Sequence, residues 1–428
     1  MPKRPIPYLR WIIGLMLMFS ATICYLDRQT LSVVATDIKQ EFNMTDTDYS
    51  NIVNSFLVSY AIMYTAGGWL MDRMGTRWGF ALFISFWSIM GMLHATAKSI
   101  LHLGIFRFLL GVGEGANYPG SNKVTSEWFP PKERGTAVGL FNSGSMLGAL
   151  LAPPMVAFVT GLWGWRMAFI VTGAMGFIWM ALWLLLFYPV KIHQRLSSDE
   201  RDLILEGLKK ETNRENISSG ENQSFSWKQI LKMRETWGLI LSRFFADSVG
   251  MFYIFWLFKY LREVREFSLT DLGMFGWIPF LAADIGSIAG GYASSVLVKR
   301  GCSPIISRKR LMLFVALFMP LNAFVGLIPN SAAALTVISF GMFCHMAWIA
   351  NIVTLVADTF PSRIVGTVSG FSGTGSVIGP IIFNFITGRF IDAYHTYTHI
   401  FIACGTLHLI GTAIVYYAYK KRKTAISI

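Results

Sequence analysis

Apolar residues run along this chain in blocks of about 20, the length of helix that crosses the hydrocarbon core of a bilayer. Twelve blocks qualify, at 9–34, 49–70, 77–97, 101–122, 134–160, 166–188, 237–260, 271–298, 309–329, 333–357, 365–388 and 397–419. The first follows Lys3, Arg4 and Arg10, as a signal peptide would. Its apolar run is too long for one, no small-residue cleavage site follows, and more blocks come after it, so it reads as a retained first span. The longest polar interruption, 189–236, separates six spans (1–188) from six (237–428). Within it, 197–212 predicts an interfacial or cytoplasmic helix followed by a flexible segment.

Lys and Arg orient the spans, because they accumulate in cytoplasmic loops. They gather at the N-terminus, in 71–77, in 123–134 (Lys123, Lys132, Arg134), in 299–310 and in the tail (Lys420, Lys421, Arg422, Lys423). The alternate segment 35–48 instead carries Asp37, Glu41, Asp46 and Asp48 against Lys39. An even span count then puts both termini in the cytoplasm, and the Asn216-Ile217-Ser218 glycosylation pattern falls on the wrong side to matter. Composition agrees: charged residues make up 14% and apolar ones 54%, where a soluble domain carries about 25% charged residues. A soluble enzyme and a disordered or fibrous protein are excluded. The net charge of +13 is a topology signal rather than a nucleic-acid surface. Cys24, Cys302, Cys344 and Cys404 are too scattered for a disulfide framework or a zinc site.

The two halves echo each other. Residues 127–148 align without gaps to 358–379, an offset of 358 − 127 = 231, with identities at Phe129/Phe360, Pro130/Pro361, Gly135/Gly366, Thr136/Thr367, Gly139/Gly370, Gly144/Gly375, Ser145/Ser376 and Gly148/Gly379. Charge is kept at Glu127/Asp358 and Lys132/Arg363, and Gly67-Gly68-Trp69 echoes Gly290-Gly291-Tyr292. Six spans per half give the repeats the same orientation. The expected fold is therefore an all-α membrane protein of twelve spans in two pseudo-symmetric six-helix bundles, with a site between them near the midplane. The repeated glycine spacing puts small residues on one stripe of spans five and eleven, where backbones can approach closely.

Ionisable side chains inside a span are functional candidates by default. This chain has Asp27 and Arg28 in span one, Arg107 and Glu114 in span four, Arg243 and Asp247 in span seven, Asp284 in span eight and His345 in span ten. Arg107 and Glu114 share a helix face, with Gly111, Gly113 and Gly115 leaving room for a ligand or a partner helix. Asp27 and Arg28 are adjacent and point apart. Arg28 is expected to face the cavity with Tyr25, and Asp27 to face the Arg107–Glu114 pair. Tyr60 and Tyr64 aim at the same volume. A guanidinium can hold a carboxylate bidentately, buried carboxylates can take up protons, and tyrosines can bond and stack on a polyol. The alternative is that the four charges pair permanently and lock the bundle. For Arg243, Asp247, Asp284 and His345 a structural role is at least as well supported as a transport role.

The segment GGWLMDRMGTRWG (67–79) resembles the loop signature of the major facilitator superfamily. The resemblance implies that Asp72, Arg73 and Arg77 latch the bundles on the cytoplasmic side; Ser295 stands where the second half would place its acid. CYLDR (24–28), Arg107 with Glu114, and EWFPPKERGTAVGLFNSGSMLGALLAPP (127–154) resemble the anion:cation symporter branch, which includes bacterial galactonate, glucarate and hexuronate transporters, sialin and vesicular glutamate carriers. FFADSVGMFYIFWLFKYL (244–261) with WIPFLAADIGSIAGGY (277–292) looks most like the hexuronate transporters. By position the resemblance implies that Asp27 and Glu114 couple protons, that Arg28 binds the substrate carboxylate, that Arg107 pairs with the span-four acid, and that Tyr25 and Tyr60 line the cavity. Ser145 and Ser372 stand where the galactonate group has a glutamine and an asparagine that touch substrate hydroxyls, which favours a different sugar acid.

The expected protein is a monomeric rocker-switch carrier in a bacterial inner membrane that imports a small organic anion, a sugar acid, with protons. A hexuronate such as glucuronate or galacturonate comes first and an aldonate, aldarate or sialic acid is the alternative, with no cofactor, metal or nucleic-acid partner. A sensor without transport would bind the same ligand, but no signalling domain is attached. An intramembrane enzyme would need a nucleophile–base pair or metal ligands, which His345 and the scattered cysteines do not supply.

Overall fold

The computed structural model describes residues 5–207, 227–360 and 362–420, and no strand occurs among them. In chain order the helices are α1 (Leu9–Val33), α2 (Ala35–Phe42), α3 (Asp46–Met74), α4 (Thr76–Leu93), α5 (Ile100–Glu114), α6 (Asn117–Trp128), α7 (Pro131–Trp163), α8 (Trp165–Leu186), α9 (Trp227–Lys232), α10 (Arg234–Glu263), α11 (Leu269–Phe275), α12 (Ile278–Lys299), α13 (Pro304–Ala316), α14 (Ser331–Thr359), α15 (Ser362–Tyr394) and α16 (Thr398–Ala418). A helical stretch over 198–207 covers part of the one expected at 197–212. The rest of that helix, the linker segment with Asn216-Ile217-Ser218, Pro361, Lys421, Arg422, Lys423 and the side chains of Lys132 and Arg363 lie outside the described residues.

Among the described residues, ten helical stretches are long and apolar enough to cross a membrane. The expected blocks at 49–70 and 101–122 are not among the ten, for different reasons. The first lies in α3, where Asn51, Asn54, Ser55 and Ser59 dilute the apolar run. The second divides at Gly115–Ala116 into α5 and α6. Block 271–298 likewise becomes α11 and α12, and block 309–329 becomes α13 followed by a 3-10 segment over Met319–Leu327.

Two compact units result. Unit 1 comprises Met1–Ile38 and Ser55–Gln223, and unit 2 comprises Lys39–Asn54 and Ser224–Ile428. Residues 39–54, which chain order assigns to the first bundle, thus group with unit 2. In unit 1, α1 packs along α7 and α4 along α8; in unit 2, α10 packs along α15, and α16 along the 3-10 segment. The duplicated glycines explain the first pair in each unit. A methyl group on Gly148 would come within 2.8 Å of Tyr25 Cβ on α1, and one on Gly379 within 2.7 Å of the Phe244 carbonyl carbon on α10. Gly144 and Gly375 are equally crowded by Met18 and Ile240, whereas Gly139 and Gly370 face open space. The close helix contact therefore uses two of the four repeated glycines, since Gly135 and Gly366 also face open space.

The echo extends to a turn outside the aligned segment. Gly164 between α7 and α8 has φ 81°, and position 164 + 231 = 395 is His395 between α15 and α16, with φ 51°. Glycine takes this left-handed backbone readily, while histidine holds it at some cost.

Candidate functional site

Within unit 1, α1 and α5 carry a cluster of charges with almost no solvent access, packed against rings of α3. Arg107 and Glu114 are 0% exposed, Asp27 2% and Arg28 6%. Glycine makes the approach possible. Methyl groups on Gly111 of α5 and Gly115 just after it would meet the carbonyl oxygens of Phe56 (2.6 Å) and Tyr60 (2.9 Å) on α3, and one on Gly113 would meet Trp87 Cβ (2.6 Å). The room beside these glycines is filled by partner helices.

Glu114 is the last residue of α5, at the negative end of the helix dipole, where an anion is disfavoured. Arg28 offsets this: its Nε donates to Glu114 Oε2 at 2.6 Å. The Cys24 thiol donates to the same oxygen at 3.1 Å and accepts from Arg28 Nη2 at 3.3 Å. The guanidinium lies against three rings, with its carbon 4.4 Å from the Tyr60 centroid, 4.7 Å from Tyr25 and 5.2 Å from Phe56. Cation–π contacts of this kind stabilise a desolvated arginine by about 1–2 kcal/mol each.

One expectation is corrected. Arg28, rather than Arg107, is the arginine that reaches Glu114. Seven residues along a helix span about 10.5 Å, so Arg107 sits too far back on α5. Its Nη2 and Nη1 instead donate to the main-chain oxygens of Arg28 (2.8 Å) and Asp27 (3.4 Å). Asp27 has Glu114 and Arg107 of α5 as its charged neighbours, as expected, and also reaches α4 and α8. A methyl group on Gly91 of α4 would lie 3.8 Å from its Oδ1, and a further polar neighbour is Thr172 of α8, whose hydroxyl donates to Phe169 O at 3.4 Å. Neither carboxylate oxygen of Asp27 has a hydrogen-bond partner, nor has Glu114 Oε1.

The expected tyrosines assemble beside Arg28. Tyr60 stacks on Phe56 and lies 6.0 Å from Tyr64, which lies 6.4 Å from Tyr118. Tyr118 donates to Asn142 Oδ1 at 2.6 Å and has Ser145 beside it. Sequence reasoning missed Cys24, Tyr118, Asn142 and the fully buried Gln29, whose amide has no partner. Spacing could have found two of them: Cys24 stands four residues before Arg28, and Tyr118 four after Glu114. Ser372 belongs to unit 2, buried with its hydroxyl unpartnered.

The other candidates, Asp284 apart, have local partners. Asp72 pairs with Lys123 at 2.6 Å, and Arg73 stacks on Trp69 at 4.2 Å. Arg77 donates to the carbonyl oxygens of Phe187 (2.5 Å) and Leu184 (2.7 Å) at the C-terminal end of α8 and lies over Tyr188. These contacts all lie inside unit 1. Repeat-related acids secure the corresponding loops: Glu127 accepts from Thr76 at 2.9 Å, and Asp358 pairs with Arg308 at 3.0 Å, with Arg308 also donating to Ser294. In unit 2, Arg243 and Asp247 pair at 2.8 Å one turn apart on α10. His345 faces His408 at 2.9 Å, and Asp284 is half-buried on α12.

A second buried cluster was missed. Lys259 of α10, its side chain fully enclosed, pairs with Asp46 and, at 2.5 Å, with Glu263, and donates to Tyr397 Oη at 3.0 Å. Lys39 joins it, 2.9 Å from Asp46 and 3.5 Å from Glu263.

Comparison with known proteins places this geometry. The sequence profile of the Major Facilitator Superfamily matches residues 17–382. The Hexuronate transporter of Escherichia coli (strain K12) is 32% identical over 426 residues, covering 99% of this chain and 97% of the relative. The Galacturonate transporter of Dickeya chrysanthemi is 33% identical over 328 residues, covering 76% of this chain and 94% of the relative. Among solved structures, a bacterial homolog of the human lysosomal transporter Spinster, in an inward-facing and occupied conformation, superposes with a TM-score of 0.78 at 19% identity, over 97% of this chain and 98% of that one. The xylose transporter XylE from E. coli gives 0.72 at 17% identity, over 97% and 98%. At such identities these two likenesses speak for the fold alone.

Proposed function

The chain belongs to the Major Facilitator Superfamily, and on that premise we propose that it imports a hexuronate, such as glucuronate or galacturonate, together with protons by alternating access. It is an integral membrane protein and a transporter rather than an enzyme. The proposed topology has twelve spans and cytoplasmic termini, with a monomer working in a bacterial inner membrane. The substrates for which the relatives are named, hexuronate and galacturonate, support the choice of sugar acid. The Arg28 environment carries the proposal for this chain.

Arg28 is buried, yet it meets Glu114 through Nε alone and a thiol through Nη2. Neither contact is the two-pronged bond that guanidinium and carboxylate form at their best, so an incoming carboxylate can compete for it. Protonating Glu114 removes a counter-charge and leaves a buried guanidinium uncompensated, a state that costs several kcal/mol. A substrate carboxylate on Arg28 removes that cost. Proton and substrate therefore favour each other's binding, which is the coupling symport requires. The Tyr25 and Tyr60 rings flank the guanidinium and offer hydroxyls and ring faces to a sugar ring. Asp27, buried with no donor to either oxygen, suits a second acid that is neutral when bound substrate crosses.

Proteoliposomes test this reading. Wild-type protein should accumulate glucuronate or galacturonate when an inward proton gradient is imposed. Glu114→Gln should retain exchange of internal for external substrate and lose gradient-driven accumulation. Accumulation by that variant against a gradient would remove Glu114 from the coupling step, and a wild type that moves neither hexuronate would remove the substrate class.

A further inference from the structure

Glu114 is held unevenly. Oε2 receives two donors, Arg28 Nε at 2.6 Å and the Cys24 thiol at 3.1 Å, whereas Oε1 receives none in a fully buried position. Cys24 and Arg28 stand four residues apart on α1, so both reach Glu114 from one face. The thiol accepts from Arg28 as it donates to Glu114.

We propose that Cys24 is a positioning residue for proton coupling: its thiol fixes Glu114 Oε2, directs the incoming proton to Oε1, and keeps the carboxyl in place when Arg28 leaves it for a substrate carboxylate. The step balances simply. One proton adds to the idle oxygen, the Arg28–Oε2 bond breaks, and the Cys24–Oε2 bond persists, now to the carbonyl-type oxygen of a neutral acid. Without Cys24, Glu114 would lose its last tie as Arg28 departed, and its side chain would be free to follow the arginine. The charged and titratable groups around Glu114 are Cys24, Asp27 and Arg28 from α1, with Tyr60 of α3 facing Arg28 and Arg107 of α5 acting on Asp27. Of these, Cys24 and Arg28 donate to it.

The inference rests on the proton-coupled reading of Glu114, and its test separates the two. A hydrogen bond to a carboxylate favours the charged form, so Cys24→Ala, which removes a donor, should move the half-maximal pH of gradient-driven uptake upward. Cys24→Ser supplies a stronger donor and should move it downward. Each shift is expected to be about half a pH unit, the size of one modest hydrogen bond. In a Glu114→Gln background neither change should alter the pH dependence of exchange. Where Cys24→Ala does not support exchange, Cys24→Val, similar in size to cysteine and without a donor, takes its place. A loss of packing alone would lower rates in both variants without moving the profile in opposite directions. Profiles that stay put or move the same way overturn the role of Cys24. A wild type whose uptake has no pH dependence overturns the coupling reading beneath it.

Discussion

Each unit sets two cations among acids, yet the two clusters differ in how completely they are satisfied. In unit 2, Lys259 meets Asp46, Glu263 and Tyr397, and Lys39 meets the same two acids. Burial weakens the charge on Lys39, but the bond to Asp46 and the nearby Glu263 hold its pKa above the ordinary lysine value. Asp392 closes the arrangement by accepting from the main-chain N–H groups of Asp46 and Thr47, both at 2.7 Å. In unit 1 the same two-plus-two composition leaves Asp27 without a donor and one oxygen of Glu114 idle. A saturated cluster holds structure together, because any change of charge breaks bonds on several sides. A cluster with idle acceptors has places for a proton or a ligand. On the proposed reading the unit 1 cluster is the working one and the unit 2 cluster a staple.

The largest effect expected from this contrast is on stability. Lys259→Met leaves Asp46 and Glu263 sharing Lys39, and breaking a buried pair on one side costs about 3–5 kcal/mol. Arg28→Met removes an ion pair whose acid can relax by taking up a proton, so its stability loss should be clearly smaller although transport is abolished. Thermal unfolding of both variants in detergent checks this. Equal losses would mean that the unit 1 cluster is as much a staple as the other.

His193, in the loop after α8, offers a smaller version of the same contrast in a neutral group. Its Nε2 donates to Leu186 O at 2.8 Å, and its Nδ1 accepts from the Arg195 N–H at 3.1 Å. Burial lowers its pKa below the ordinary value, against the bond to Leu186 and aided by Arg201, Arg195 and Arg77. The native protein therefore prefers the neutral ring. That contribution is fully present above the unfolded value of about 6.5 and is lost as pH falls through the lowered native value. Protonation puts a hydrogen on Nδ1 and expels the Arg195 donor, a loss of about 1 kcal/mol. Between pH 7 and pH 5 the wild type should lose that much more stability than His193→Asn. Identical pH dependence in the two proteins would show that the ring is not saturated in the way described.

The sequence made the helices and the repeat legible for physical reasons. Long apolar blocks with few charges specify spans whatever surrounds them, and glycines in register specify close helix pairs, as Gly148 and Gly379 do. The identities of the buried charges were legible too, since a charge in a span has no neutral explanation. Their partners were not. Arg107 and Glu114 share a face, which suggested a pair. The break after Glu114 and the reach of Arg28 from α1, features of three-dimensional packing, decided otherwise. Lys259 went unnoticed because it lies one residue inside the end of an apolar block, where a lysine could equally reach water along its own stem.

Asp27 gives the sharpest form of the contrast because its expected effect on stability is the smallest. An acid that accepts no hydrogen bond contributes none to lose, so Asp27→Asn, nearly equal in shape, should leave unfolding within about 0.5 kcal/mol of wild type, as substitutions free of lost contacts do. The same change removes a site for a proton, and gradient-driven accumulation of hexuronate should fall to the level reached by exchange alone. A saturated carboxylate cannot behave this way: Asp46→Asn in unit 2 would weaken its bonds to Lys259 and Lys39 and lower stability along with transport. Measuring unfolding and uptake for both asparagine variants therefore separates the clusters directly. If Asp27→Asn destabilises as strongly as Asp46→Asn, Asp27 is tied into the packing by contacts that need its charge, and the vacancy assigned to it does not exist.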